Sequence, residues 1–166
     1  MPFTPYHLGP GAAFKAIGGS RFSLLIFAGS QVLMDIEPLV RILRRDLVLH
    51  GPSHTVLGAL AIGVAAGVVG RPISEFALRV TGIGHRPITW PVAFASAFLG
   101  TYSHIVLDGM MHADINPLWP FVLGNPLLGA ISLGALHVAC VLSGSLGIGA
   151  LGLRGMLAAK AAKPRG

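Results

Sequence analysis

Four apolar runs, at 22–40, 56–70, 88–110 and 127–153, constrain this chain more than any other feature of its sequence. Read as helices, they predict four clear membrane spans, because runs of this length match the hydrocarbon layer of a bilayer. A soluble domain of 166 residues would have to hide them all. Hydrophobic residues make up 53% of the chain and charged residues only 11%, with a mean hydropathy of +0.73. That balance excludes an ordinary soluble domain and points to an integral membrane protein. The 23 glycines fit helices that approach closely in lipid.

The expected fold is therefore all-α: a polytopic membrane helical bundle of four clear spans plus a short N-terminal helix over 8–19. That first helix is too short to span by itself and either re-enters or crosses with help. Residues 1–153 are expected to form a single membrane-embedded domain, and 154–166 a basic, mobile cytoplasmic tail. Residues 71–87 read as a loop containing a short amphipathic helix around 73–80. Residues 113–126 read as irregular, broken by Pro117, Pro120 and Pro126, with Trp119 at the membrane interface. The N-terminus lacks a basic segment before an apolar core, so no cleavable signal peptide is expected.

Against this apolar background, residues 103–117 carry His104, Asp108, His112 and Asp114. On a helix, His104, Asp108 and His112 stack at i, i+4 and i+8 along one face. Imidazole and carboxylate on one face suit Zn²⁺ or a similar divalent ion such as Mn²⁺. Other polar residues recur at a few positions: His7, Asp35 and Glu37, and His50 and His54 either side of Pro52. An uncompensated carboxylate in a span costs about 2.5–3.5 kcal/mol on insertion scales, so Asp35 and Asp108 need partners.

Helix parity brings these residues together. His7 starts the first helix, Asp35 and Glu37 lie towards the end of the second, His50 and His54 start the third, and His104, Asp108 and His112 end the fourth. In an up-down bundle these positions all fall at one end. The predicted metal ligands are His7, Asp35, His50, His54, His104, Asp108 and His112, holding one or two ions, with Glu37 or Asp35 as general base. Glu37 can instead pair with Arg41 one turn on. Asp114 is expected to cap or turn the chain, Ser53 to cap the third helix, and Ser53 and Thr55 to support the ligands. His85 is expected to be solvated, His137 to pack within the last span, and Cys140, the one cysteine, to pack as an apolar residue.

Lys15, Arg21, Arg71, Arg79, Arg86, Arg154, Lys160, Lys163 and Arg165 fall at the opposite end, and only Arg41, Arg44 and Arg45 at the polar end. The positive-inside rule then sets the polar cluster on the outer, periplasmic face of a bacterial inner membrane, with a cytoplasmic C-terminus. The formal charge of +6 is explained by this distribution, and no basic stripe with interleaved aromatics suggests nucleic acid.

At these residues the sequence resembles the YdjM-like family of membrane-bound, metal-dependent hydrolases of bacteria. The shared features are the N-terminal Met-Pro-Phe-Thr-Pro-Tyr-His, Asp35-Ile-Glu37, His-Gly-Pro-Ser-His-Thr at 50–55, and His-Ile-Val-Leu-Asp at 104–108 followed by Pro-Leu-Trp-Pro-Phe. The spacing of His104, Asp108 and His112 is also similar to a metal motif of zinc-dependent phospholipase C and the S1/P1 nucleases, although the gap from Asp108 to His112 is shorter here. Family members often show two aspartates where this chain has Asp35 and Glu37.

The resemblance implies hydrolysis, with a lipid or phosphoester substrate at the bilayer surface. A divalent ion would lower the pKa of a coordinated water towards about 7. The alternative is a membrane protein without catalysis, carrying a structural or transport-related metal site. Ligands clustered at one end disfavour transport, which places polar groups near the midplane.

Overall fold

The computed structural model describes residues 5–83 and 87–162. Expectations for His85, Arg86, Lys163 and Arg165 fall outside the described residues. Five helices follow in order: α1 (Gly9–Gly18), α2 (Leu24–Arg44), α3 (Val56–Thr81), α4 (Trp90–Met111) and α5 (Leu133–Ala162). Single turns of 3₁₀ helix precede α1 and α3, at Pro5–Leu8 and Pro52–His54, and another follows α1 at Gly19–Arg21. Among the described residues there is no strand.

Among the described residues, three helices rather than four are long and apolar enough to cross a membrane: α3, α4 and α5. The run expected as the first span is α2, which has 21 residues. Its second half carries Asp35, Glu37, Arg41 and Arg44, so apolarity alone does not qualify it. Ser23 caps its N-terminus, its side chain accepting from Ile26 N.

Two further differences concern helix ends. Residues 71–81 are not a loop but the last turns of α3, which runs through Pro72 for 26 residues. Arg71 and Arg79 flank Glu75 at i±4, at 3.6 and 3.3 Å. Leu78 packs on a core of Ile26, Ala66, Ile88, Ala93 and Ala97, so side-chain packing on this stretch supports the helix beyond the proline. The segment after 153 continues as helix to Ala162; Arg154 donates from Nη1 to Ala16 O at the end of α1. At its other end α5 starts at Leu133, later than the expected 127.

Helices α2, α3 and α4 pack against one another, and α1 lies along α5. The α1–α5 contact depends on two glycines. A Cβ on Gly9 would collide with the Cys140 carbonyl, and one on Gly147 with the Ala12 backbone. Phe14, Phe22 and Phe27 join α1 to α2 with ring centroids 5.5–5.9 Å apart.

The irregular segment between α4 and α5 is tied back onto the helices. Asn125 Nδ2 donates to Gly109 O at 2.7 Å and His112 O at 3.0 Å, satisfying carbonyls that the end of α4 leaves open. Val56 N donates to Pro117 O at 2.8 Å. These bonds hold residues 112–119 against the start of α3, where the polar residues gather.

Candidate metal centre

Asp108 sits in the last turn of α4, buried, and imidazoles converge on it from four places in the chain. Nε2 of His104 lies 3.1 Å and Nε2 of His54 3.3 Å from Asp108 Oδ2. His50 Nε2 lies 4.0 Å from the same oxygen. His7 Nε2 lies 3.3 Å and His112 Nε2 3.9 Å from Oδ1. Asp35 joins from α2, its Oδ1 3.4 Å from His104 Nε2. All seven predicted ligands thus occupy one end of the molecule.

Two sets of donor atoms are close enough to share an ion, each within 4.8 Å: Asp35, His54, His104 and Asp108, and His50, Asp108 and His112. Asp108 belongs to both. His7 stands outside these sets but faces the same carboxylate, edge-on to the His104 ring at a centroid distance of 4.9 Å.

Outer partners decide which nitrogen of each ring faces inward. His104 Nδ1 meets Gln31 Oε1 at 2.5 Å, and Gln31 in turn donates to Ser103 Oγ at 3.2 Å. Ser53 Oγ bonds His54 Nδ1 at 2.9 Å. His50 Nδ1 meets Asp114 Oδ1 at 2.8 Å, while Asp114 Oδ2 accepts from the backbone N–H groups of Leu49 and His50. In all three rings the bonded nitrogen is Nδ1, so Nε2 points to the centre, the arrangement that orients metal-binding histidines.

Several of the inner atoms have no such partner. Nε2 of His7, His54 and His104, Nδ1 of His7 and Oδ1 of Asp108 are buried without a hydrogen bond. Buried polar atoms are normally satisfied, and each orphan costs about 1–3 kcal/mol. A concentration of unsatisfied polar atoms around one carboxylate fits a divalent cation at their focus.

Burial keeps the loop histidines neutral, as ligands must be. Desolvation lowers His7 to about 4, against the opposing pull of Asp108. It also lowers His50 and His112, against Asp114 and Asp108. Asp114 runs the other way: despite burial that would raise it, hydrogen bonds from His50 and Leu49 hold it at about 2.

Glu37 is directed elsewhere. Its Oε2 accepts from Ser53 N at 2.8 Å, and its Oε1 pairs with Arg41 Nη2 at 2.7 Å. It braces the loop that carries His50 and His54 and belongs to neither donor set. The capping roles also differ. Thr55, not Ser53, caps α3, its Oγ1 accepting from Gly58 N at 2.9 Å. Asp114, expected to cap or turn the chain, orients His50.

Sequence reasoning passed over Gln31 as part of the site. Its signal was available: a buried amide four residues before Asp35, on the same face of α2. His137 packs, as expected for a histidine within a span, by stacking on Tyr6 at 4.4 Å. That contact fastens the turn bearing His7 to α5.

No family model, curated protein or solved structure matches this chain.

Proposed function

We propose that this chain is a membrane-bound, metal-dependent hydrolase of the outer face of a bacterial inner membrane. In this reading α2 is a fourth span, its carboxylates neutralised within the cluster and by Arg41. The YdjM-like motifs support the hydrolase assignment, and the Lys and Arg distribution supports a periplasmic site and a cytoplasmic C-terminus.

The observation that carries the reading is the convergence of imidazole Nε2 atoms, several of them unbonded, on both oxygens of Asp108. Mixed nitrogen and oxygen donors favour zinc, with manganese as the second choice. The two overlapping donor sets, which share Asp108, would hold up to two ions. Divalent ions there would polarise a phosphoester and make water acidic enough to attack near neutral pH. In this reading Asp35 would accept the proton of that water.

A structural metal site is the competing reading, favoured by the full burial of His54 and His104. Against it, the His112 side chain is 24% exposed, and His50 lines an open cleft. A closed shell has no use for such an opening.

Metal content by ICP mass spectrometry on detergent-purified protein tests the proposal, comparing wild type with a His104→Ala, Asp108→Ala double variant. Stoichiometric zinc or manganese in wild type only, with metal-dependent release of 4-nitrophenol from a phosphodiester, is the expected result. Absence of metal from folded, reconstituted wild type overturns it. Bound metal without turnover of any phosphoester leaves the structural reading.

A further inference from the structure

We propose that the cleft beside His50 seats the hydrocarbon chain of a membrane-resident amphiphile with an anionic head, admitted sideways from the outer leaflet. The inference rests on the metal-site reading and names the substrate class of that site.

The cleft holds about 190 Å³ and is lined by His50, Gly51, Pro52, Thr55, Asn116 and Trp119. His50 is both a wall of the cleft and a member of the cluster, so the cavity adjoins the place where the scissile group would sit. The volume equals only about six waters at ~30 Å³ each. It fits the part of a chain next to a head group, not an entire lipid.

Trp119 of the cleft wall and the chain segments that continue from the wall expose apolar side chains. Trp119 is 45% exposed, Phe121 79% and Leu123 79%, while Leu47, just before the cleft wall, is fully exposed. Exposed apolar side chains on a loop at the end of a membrane bundle suit contact with lipid, where an aromatic such as Trp119 sits at the interface. Their position is not left to chance: Val56 N binds Pro117 O, and Asn116 Oδ1 accepts from Gly124 N at 2.8 Å. The loop therefore forms a fixed wall, and its outer side is hydrocarbon-compatible.

Charge completes the argument for an anionic head. Glu37 and Arg41, paired with each other, abut Gly51 in the cleft wall, and Arg44 and Arg45 follow within the next turn, both exposed. The exposed Arg44 and Arg45, on the same end of α2, run against the charge bias expected of an outer face, and together with a metal ion beside His50 they suit a phosphate brought to the surface on a chain.

The test uses a non-hydrolysable probe, hexadecylphosphonate with a diazirine about three carbons from the phosphonate, in dioleoylphosphatidylcholine vesicles containing metal-loaded protein. Crosslinks are mapped by mass spectrometry. Labelling should concentrate on 50–56 and 116–119. It should fall at least about fivefold when Pro52→Phe fills the cleft, and likewise when Trp119→Ala removes its wall, with metal content checked in both. Labelling spread evenly along lipid-facing α3 positions such as Leu57, Leu60 and Val64 overturns the proposal. So does cleft labelling that survives both variants. Because the probe is never cleaved, failure of hydrolysis shows up separately, as absent phosphodiester turnover.

Discussion

Gln31 Oε1 on α2 meets His104 Nδ1 on α4 at 2.5 Å, and this contact selects which nitrogen His104 shows to the centre. With Nδ1 carrying the proton, Nε2 offers its lone pair towards Asp35 and Asp108. Gln31→Leu removes the acceptor and frees the ring to turn. Metal affinity should fall about 10–100-fold, the usual effect of losing such a partner. A chelator-competition titration reads it; unchanged affinity would show that packing alone orients His104.

Asp108 is the one side chain common to both donor sets. Asp108→Asn keeps its shape but removes the charge that any cation there needs. Metal content should drop to background by ICP mass spectrometry, whereas a variant of a ligand in one set only, such as His112→Ala, should retain part of it.

Glu37 and Asp114 look alike in sequence as loop-side acids, yet they predict different phenotypes. Glu37→Gln weakens the bonds to Ser53 N and Arg41 and should cost about 1–3 kcal/mol in stability, with metal stoichiometry kept. Asp114→Asn loosens His50 and should lower metal affinity more than stability. Thermal melts and metal titrations on both variants separate the two roles. Full loss of metal in Glu37→Gln would return that residue to the centre.

Acidification should destabilise the metal-free protein in a definite window. His7 titrates near 4 in the fold because of burial, against about 6.5 when unfolded. Below 6.5 the unfolded chain binds the extra proton and the folded one does not. Stability is thus complete above 6.5 and declines as pH falls towards 4. His7→Ala should flatten that part of the curve in denaturation of stripped protein.

Gly147 permits α5 to meet the backbone of α1 at Ala12. Gly147→Leu should push α1 away and, with it, the turn bearing His7. Reduced thermal stability together with weaker metal binding is expected, measured on the same detergent sample. Weakened stability with metal affinity intact would show that His7 is held mainly by Tyr6 on His137.

Periodicity and composition determined much of this by themselves. Apolar runs demand helices in lipid because every backbone polar group must be satisfied internally. Counting helix ends then brings His7, Asp35, His50, His54, His104, Asp108 and His112 to one side, a matter of parity that needs no coordinates. Side-chain direction was beyond reach. Glu37 turns to Ser53 and Arg41 while Asp35, two residues earlier, faces the cluster, because residues two apart on a helix lie on different faces. Which of them faces inward depends on how α2 rotates against α4. Gln31 and Asp114 acquire their roles only through partners 73 and 64 residues away. Such contacts are made by packing between elements, and local sequence does not encode them. The extension of α3 past Pro72 has the same origin: Leu78 finds a core to bury against, and tertiary burial outweighs the local signal to stop.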